Sequence, residues 1–315
     1  MEYSVVIPVY NSGEWIEELV CKIEAVMDQI TEDYEVICVN DASPKLSTWP
    51  ALKKACKTTK HLKAINLHYN SGQFNALLCG LSHAQGKYVI TMDDDFQHSP
   101  DEIFKLVAKM QECDCDCIIA SYAQKKHGLF RKIGSAFVNW LSEKIYNKPK
   151  GITSTSYRLM KHELAEALTE YQGKSPQIGP LIFSITKNIA TVEIEHKERA
   201  YGKSGYTMGR LFRETANVIF NGSTAPIDAV SVMGIAISGF AFLLTIFYFL
   251  RYLTGGIAVQ GFTSLVLLIS FFFGLVLLSI GIIGKYIVRL VDNAIGLPAY
   301  SVREIRGSGE EEPTE

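Results

Sequence analysis

The sequence predicts an α/β protein with a mostly parallel sheet, followed by amphipathic helices and a C-terminal hairpin of two membrane-spanning helices. Two observations lead to this class. Over the first 125 residues, short runs rich in β-branched and aromatic residues alternate with helix-compatible segments. This alternation is typical of parallel strands joined by crossover helices. Near the C-terminus, two uncharged stretches each have the length that a helix needs to cross a bilayer.

The strands come first in the chain. Five runs have strand composition: residues 3–9, 34–40, 62–67, 88–92 and 117–121. Helix-compatible stretches lie between them, for example Glu14 to Met27 and Gln73 to His83. A parallel sheet of this kind is covered by helices on both faces, and its ligands bind beyond the carboxyl ends of its strands. The residues that follow each strand are therefore the candidates for a site.

Polar residues follow four of these strands. They are Tyr10 and Asn11, then Asp41 and Ser43, then the "NSGQ" of residues 70–73, and finally the acidic run Asp93 to Asp95. Turn chemistry alone explains many such residues, because Asn, Asp, Gly and Ser are frequent in turns. Three adjacent carboxylates are harder to explain as a turn, since they repel one another and no lysine lies near them in the sequence.

An acidic cluster at this edge of a parallel sheet indicates a site for a hard cation. Carboxylate oxygens and water hold Mg²⁺ or Mn²⁺, and substrate phosphates complete the coordination. Asp93 and Asp95 are the predicted metal-facing pair. Asp94 is expected to point away from the cation and to tolerate substitution best, and His98 is interpreted as a loop residue. Asp41, on a neighbouring strand, is placed to face a nucleotide, so a nucleotide-diphosphate site follows as a hypothesis.

Composition excludes other classes of partner. The net charge of the 315 residues is −2, so no nucleic-acid partner is predicted. The seven cysteines are scattered through predicted strands and helices rather than spaced as a disulfide framework. They are interpreted as packing residues of a protein in a reducing compartment.

The two uncharged stretches run from about Val230 to Leu250 and from about Gly261 to Gly284. Because only ten residues separate them, they predict a helical hairpin whose two ends lie on one side of the membrane. Basic residues flank the outer ends of the hairpin, whereas the connecting loop carries only Arg251. The positive-inside rule therefore places both the N-terminal domain and the C-terminal tail in the cytoplasm. Small residues in the spans, such as Gly274 and Gly281, are compatible with a homo-oligomer formed through the transmembrane helices.

Two further segments have one apolar helical face and basic flanks: residues 128–147 and residues 207–222. A core-facing helix has the same pattern. The second segment lies directly before a span, which favours two helices in the membrane interface.

The motifs resemble those of family 2 glycosyltransferases of the GT-A type. The resemblance rests on "VVIPVYN", "VNDAS", "NSGQFNALLCGLSHAQGKYVITMDDDFQHSPDEI", "SYRLM" and "RAYGKSGYTMGRLF", and it extends over the spans to "GIIGKYIVRL". Within the family, the chain is most similar to the branch that transfers sugars to polyprenyl phosphates. The resemblance implies a nucleotide-sugar-binding GT-A fold, a divalent metal, a nucleotide-diphosphate sugar as donor and undecaprenyl phosphate as acceptor.

The resemblance also assigns roles to individual residues. Asp93, Asp95 and Gln97 lie at the metal and the diphosphate, and Arg158 lies near the catalytic centre. The nucleotide-sugar set is Pro8, Tyr10, Asn11, Asp41, Ser43, Asp93 and Gln97. The acceptor-phosphate set is Arg131, Arg199, Lys203 and Ser204. Some members of the family have a carboxylate just before the "YRL" position, but here the segment reads "TSTSYRL". No catalytic base is thereby identified.

The implied reaction is an inverting transfer at the cytoplasmic face of the inner membrane, by a multi-pass protein that contributes to cell-envelope glycans or lipids. The expected domains are residues 1–127, the nucleotide-sugar-binding core; 128–228, the acceptor side; 229–289, the hairpin; and 290–315, the tail. Two alternatives stay open. One is a processive polysaccharide synthase, which two spans and the absence of a "QxxRW" motif disfavour. The other is a non-catalytic membrane scaffold that binds nucleotide sugars.

Overall fold

The structure is a computed structural model that describes residues 1–122, 155–171, 177–194, 262–294 and 298–308, with a few further positions between residues 143 and 250. The chain divides into two compact units. One contains Met1–Met208 together with Gly296–Glu315, and the other contains Gly209–Ile295. The last residues of the chain therefore belong to the same unit as the first.

The first unit is built on an eight-stranded sheet with the order β7-β5-β6-β4-β1-β2-β3-β8. Its strands are β1 Tyr3–Val9, β2 Tyr34–Asn40, β3 Leu62–Leu67, β4 Tyr88–Thr91, β5 Cys117–Tyr122, β6 Arg158–Lys161, β7 Ile189–Ile194 and β8 Val302–Gly307. Neighbouring strands are parallel except where β6 lies between β4 and β5 and where β8 pairs with β3. The predicted mostly parallel α/β sheet is confirmed.

Helices cover both faces of this sheet. They are α1 Ile16–Met27, α2 Thr48–Thr58, α3 Gln73–Ser82, α4 Ile103–Glu112, α5 His162–Thr169 and α6 Ile178–Ile185, with a short 3₁₀ turn at Pro100–Glu102. Buried side chains of α1, α2 and α4 join one apolar core, and those of α3, α5 and α6 join a second core on the opposite face. Every residue of β1 and of β2 is buried, as a strand covered on both faces requires.

Close packing brings α3 onto the centre of the sheet. A Cβ atom at Gly80 would collide with the side chain of Val6 on β1, so only glycine allows α3 to approach this strand. This approach sets the start of α3, at Gln73, beside the carboxyl end of the sheet.

The five predicted strands are present, and three strands were not predicted. β6 and β7 follow the predicted core, and β8 lies within the segment expected to be a simple tail. The cysteines also differ from expectation, because Cys113 and Cys115 are joined by a disulfide. Four of the five free cysteines are buried, as predicted for packing residues.

The second unit contains a long apolar helix, α7, at Phe262–Ala294. Its window Phe271–Val288 is long and apolar enough to cross a membrane, and within the described part of the chain it is the one helix that meets this test. Of the 21 positions in the first predicted span, from Val230 to Leu250, twelve are described and all twelve are helical. Apart from Glu143, both amphipathic segments at 128–147 and 207–222 lie outside the described residues. The predicted two-helix hairpin is thus matched by one candidate helix.

Candidate functional site

The loops at the carboxyl edge of the sheet contain unusual backbone conformations. In the described ranges, the non-glycine residues with positive φ are Asn11 at 61°, Ala42 at 45° and Phe96 at 58°. They follow β1, β2 and β4, which are neighbours in the sheet. Each such conformation costs on the order of 1–3 kcal/mol, and such costs are found where function constrains the backbone. The carboxyl edge of the sheet, where the sequence predicts the ligand site, is therefore also the edge whose loops contain strained residues.

Asp93 is held by residues from three different segments. Its Oδ1 atom accepts a hydrogen bond from the Gln73 side-chain amide at 2.7 Å. Its Oδ2 atom accepts one from the Ser156 hydroxyl at 2.5 Å, and its backbone N–H donates to Nδ1 of His98 at 3.0 Å. Gln73 begins α3 and Ser156 lies just before β6, so the position of this carboxylate is fixed by the packing of both elements.

His98 lies in the loop after β4, as the sequence interpretation has it, but its side chain is buried, which that interpretation did not include. Its side chain is only 4% exposed. Its imidazole stacks on Tyr157 with ring centroids 4.8 Å apart and on Tyr122 at 6.3 Å. The Tyr157 hydroxyl in turn donates to the carbonyl oxygen of Ser99 at 3.0 Å. Because Nδ1 is the acceptor of the hydrogen bond from the Asp93 backbone N–H, this nitrogen carries no proton while the hydrogen bond is formed.

Asp94 joins the loop after β4 to the loop after β1. Its Oδ2 atom accepts the backbone N–H of Tyr10 at 3.0 Å and the hydroxyl of Ser12, and its carbonyl oxygen accepts the indole N–H of Trp15 at 2.6 Å. Burial raises the pKa of Asp94 to about 6; the hydrogen bonds from the Ser12 hydroxyl and the Tyr10 backbone N–H oppose the shift, and the charges of Asp93 and Asp95 add to it. These contacts of the Asp94 side chain argue against the expectation that this residue tolerates substitution best.

Asp95 lies in the same loop after β4. The Oδ1 atom of Asp95 accepts the backbone N–H of Gln97 at 3.1 Å. The pKa of Tyr122, at the end of β5, is raised first by burial and then by the charges of Asp93 and Asp95. Across the described ranges, no group of three His, Cys, Asp or Glu side chains converges as a metal cage. Two carboxylates at an open edge nevertheless fit Mg²⁺ or Mn²⁺, because these ions take their other ligands from water and phosphate oxygens.

Asp41 organises the loop that follows β3. Its Oδ1 atom accepts the backbone N–H and the hydroxyl of Ser71 at 2.7 and 2.9 Å, and its Oδ2 atom accepts the N–H of Gly72 at 2.9 Å. Gly72 has φ of +90°, which favours glycine at this position. The Asp41 carboxylate is thus buried and bound by neutral donors. The sequence did not predict that Ser71 and Gly72 bind this carboxylate.

The remaining nucleotide-sugar candidates lie close by. The backbone N–H of Asn11 donates to the Ser43 hydroxyl at 2.9 Å, which links the loops after β1 and β2. Tyr10 is 48% exposed and presents an aromatic ring at the edge. Pro8 is a buried residue of β1, opposite Val39, and lies inside the sheet rather than in a loop.

Arg158 is a buried cation at the start of β6. The residue is 4% exposed, and its Nε and Nη1 atoms have no hydrogen-bond partner among residues that the structure describes. Burial lowers the pKa of its guanidinium, while the nearby Cys117 and Asp93 raise it. A buried guanidinium with two nitrogen atoms left without hydrogen bonds is unfavourable, so this position is suited to an anionic ligand.

The acceptor-phosphate candidates Arg131, Arg199, Lys203 and Ser204 lie outside the described residues. Their arrangement relative to Asp93 and Arg158 stays a prediction. The residues that sequence reasoning missed are Gln73, Ser156 and His98, and the sequence signal for each was weak. In the sequence, Gln73 stands out only as the last residue of "NSGQ", and Ser156 only as a residue of "TSTSYRL", the segment that has no carboxylate.

Comparisons with known proteins agree with this architecture. The model of the family described as glycosyl transferase family 2 matches residues 4–168. The undecaprenyl-phosphate 4-deoxy-4-formamido-L-arabinose transferase of Photorhabdus laumondii is 31% identical over 307 residues, covering 96% of this chain and 94% of the relative. The protein of the same name from Proteus mirabilis is 30% identical over 306 residues, covering 96% of this chain and 94% of the relative.

Solved structures show a similar fold. Glucosyl-3-phosphoglycerate synthase from Mycobacterium tuberculosis, in complex with Mn²⁺, uridine diphosphate and glucosyl-3-phosphoglycerate, superimposes with a TM-score of 0.52 at 16% identity. The superposition covers 70% of this chain and 77% of the synthase. With a family match over more than half of the chain and a relative at 31% identity over nearly all of it, the chain belongs to glycosyl transferase family 2 and is a glycosyltransferase.

Proposed function

We propose that the protein transfers a sugar from a nucleotide-diphosphate sugar to a polyprenyl phosphate, of which undecaprenyl phosphate is the expected member. The observation that carries the acceptor is the similarity to undecaprenyl-phosphate transferases over 96% of the chain, a share too large to leave out the apolar helix. The observation that supports the donor is the cluster of polar loops at the carboxyl edge of the sheet, where α/β proteins bind nucleotides.

Asp93 and Asp95 would hold Mg²⁺ or Mn²⁺, with Gln97 beside them. The M. tuberculosis synthase, which has the same fold, contains Mn²⁺ together with a uridine nucleotide, and this supports the choice of a divalent cation. The cation would supply Lewis-acid stabilisation of the departing diphosphate. Gln73, Ser156 and His98 fix Asp93, so the carboxylate does not have to be ordered during the reaction.

The proposed reaction does not require a strong catalytic base. A phosphate monoester has its second ionisation near pH ~6, so the attacking oxygen of the acceptor is already anionic at neutral pH. The residues need to align that oxygen with the anomeric carbon and to balance negative charge. Arg158 is suited to the second task, since its buried guanidinium lies near Asp93. A single in-line displacement inverts the anomeric carbon.

The acceptor phosphate is proposed to contact Arg131, Arg199, Lys203 and Ser204, and the nucleotide sugar to contact Pro8, Tyr10, Asn11, Asp41 and Ser43. The proposed domain boundaries remain 1–127, 128–228, 229–289 and 290–315. The last of these segments, 290–315, is not simply an extension beyond the fold, because its strand β8 joins the sheet of the catalytic unit.

The position of β8 supports the proposed topology. If α7 crosses the membrane, the strand that follows it must lie on the same side as β3, because the two strands share hydrogen bonds. The chain between β7 and β8 must then cross an even number of times. We propose that the uncharged stretch from about Val230 to Leu250 supplies the second crossing. We place the catalytic unit and the tail on the cytoplasmic face of the inner membrane, in accord with the flanking basic residues.

Transfer to lipid phosphate tests this proposal. Membranes containing the protein are incubated with undecaprenyl phosphate and a panel of nucleotide sugars, and the lipid product is identified by mass. We expect one glycosyl-phospholipid, formed only with Mg²⁺ or Mn²⁺ present. The matched control is Asp95→Asn, which keeps the size of the side chain and should abolish transfer. Full transfer by this variant would overturn the metal assignment, and absence of product with every donor would overturn the function.

A further inference from the structure

The chain that follows α7 is bound tightly to the catalytic unit. We define residues 298–308 as the tail segment. Within it, β8 pairs antiparallel with β3. The side chain of Glu304 accepts the indole N–H of Trp49 at 3.1 Å, and the Ser308 hydroxyl donates to the carbonyl oxygen of Leu62 at 2.9 Å. The Tyr300 hydroxyl lies 3.0 Å from that of Ser82, at the end of α3. These contacts attach the tail segment along the whole length of β3.

The tail segment also contacts the loop that leaves β3. We define residues 68–73 as the bridging loop. The backbone N–H of His68 donates to the carbonyl oxygen of Ser301 at 2.8 Å. The hydroxyl of Tyr69 donates to the carbonyl oxygen of Pro298 at 3.0 Å. The first two residues of the bridging loop are therefore held from outside by the tail segment.

The next four residues of the same loop contact the candidate site. The side-chain amide of Asn70 donates to the carbonyl oxygen of Asp41 at 3.4 Å. Ser71 and Gly72 bind the Asp41 carboxylate through their backbone N–H groups at 2.7 and 2.9 Å. Gln73 binds the Asp93 carboxylate at 2.7 Å. Six consecutive residues thus run from the tail segment to one carboxylate expected at the nucleoside and another expected at the metal.

We propose that the tail segment is a positioning element for the nucleotide-sugar site, acting through the bridging loop on Asp41 and Asp93. A loop that is fixed at one end only would have more conformations, and the donors to Asp41 would be aligned for a smaller fraction of the time. The tail segment fixes the other end. This inference rests on the proposed roles of Asp41 and Asp93, but the contacts that it invokes do not depend on those roles.

The bridging loop is partly accessible, which makes the proposal measurable. Tyr69 is 46% exposed, so Tyr69→Phe removes the hydroxyl that binds Pro298 without leaving a hole in a core. Trp49→Phe removes the hydrogen bond that Glu304 of the tail segment accepts from α2. Trp49 lies in neither the bridging loop nor the acidic run, so an effect of Trp49→Phe on Ser71 and Gly72 is expected to act through the tail segment.

The main experiment deletes residues 298–315 in the full-length, detergent-purified protein and compares it with a deletion of residues 309–315, which keeps β8. Hydrogen exchange is read at the amides of Ser71 and Gly72. We expect the longer deletion to accelerate their exchange at least about tenfold, the change that corresponds to one net hydrogen bond. The shorter deletion should leave the exchange unchanged. Equal protection in both proteins would overturn the proposal.

The double variant Tyr69→Phe with Trp49→Phe decides the question if the longer deletion does not fold. We expect several-fold faster exchange at Ser71 and Gly72, a raised KM for the nucleotide sugar and an unchanged KM for the lipid phosphate. A uniform loss of kcat with unchanged exchange at the bridging loop would indicate general destabilisation and would count against positioning. If the wild-type chain transfers no sugar, the proposed function fails while the exchange experiment still tests the tail segment.

Discussion

The Nδ1 atom of His98 accepts the backbone N–H of Asp93 at 3.0 Å, and the imidazole is fixed by stacking on Tyr157. One buried side chain therefore sets the backbone of a carboxylate whose side-chain oxygens are set by two others, Gln73 and Ser156. Asp93 is a proposed metal ligand, and residues that hold a metal ligand in place commonly determine how well it binds the ion.

His98 should accordingly affect Mn²⁺ binding without touching the ion. We expect His98→Ala to weaken Mn²⁺ affinity by about 10-fold to 100-fold, the usual effect of losing such a partner. His98→Asn places an amide oxygen near the position of Nδ1 and should restore much of the affinity, whereas His98→Gln should not. Free Mn²⁺ is measured by electron paramagnetic resonance during titration with purified protein. Equal affinities for the Asn and Gln variants would contradict this role.

Asp94 should be sensitive to truncation but tolerant of an isosteric amide. In Asp94→Ala, the hydroxyl of the buried Ser12 and the backbone N–H of Tyr10 lose their acceptor, which costs about 1–3 kcal/mol of stability. Asp94→Asn retains an acceptor oxygen and removes a charge next to Asp93 and Asp95, so it should be close to the parent. Thermal unfolding of both purified variants measures the difference. A fully stable Asp94→Ala protein would restore the simpler expectation that this residue is dispensable.

Substitution of Arg158 should lower the rate of sugar transfer without lowering the stability of the fold. Arg158→Met removes a buried guanidinium that has two nitrogen atoms without partners in the part of the chain that the structure describes. We expect transfer to fall by ~100-fold or more, since a fixed group that stabilises charge contributes at least this much. The midpoint of thermal unfolding should stay the same or rise, because an unfavourable buried charge is lost. A large fall in the midpoint would show that the residue is structural.

The attachment of β8 should depend on pH through Glu304. The hydrogen bond from Arg306 lowers the pKa of Glu304 below its usual 4.5; burial opposes the shift, and the Trp49 N–H adds to it. A depressed pKa means that this carboxylate stabilises the folded form above pH 4.5, and that the contribution disappears as the pH falls through the lower folded value. Exchange at the β8 amides, corrected for its intrinsic pH dependence, should therefore accelerate on acidification below pH 4.5.

Glu304→Gln is the matched control for this pH dependence. The amide oxygen still accepts from Trp49, but the side chain no longer titrates. The variant should show faster exchange at β8 near neutral pH and little further change at acid pH. The same acid response in both proteins would exclude Glu304 as the titrating group.

The central sheet was predictable because its strands carry their own signal. β1 and β2 are buried on both faces, so their sequences are nearly continuous apolar runs that end in turn residues. The acidic run could also be recognised from the sequence, because three carboxylates beside a buried strand have few purely structural explanations. The positions of Asp41, Asp93 and Asp95 at one edge follow directly from parallel topology.

β8 could not be predicted from its sequence. In "VREIRG" the apolar Ile305 is 41% exposed, while Glu304 and Arg306 turn toward the protein, so the pattern suggests the wrong face. The strand is selected by partners such as Trp49, which lies 255 residues away in the chain. His98 and Ser156 were missed for a related reason. Their roles depend on which segments fold against the acidic run, and short motifs do not contain that information.

The order of strands in the sheet has a consequence for biosynthesis. β3 is made early, whereas β8, which covers its edge, leaves the ribosome only after α7. Chains fold from the N-terminus during synthesis, so the edge of β3 remains open for the time needed to make the apolar helix. A chain cut short before β8 would keep that edge exposed to pairing with other strands. Completion of the sheet therefore comes only at the end of synthesis, and a truncated chain has an open sheet edge.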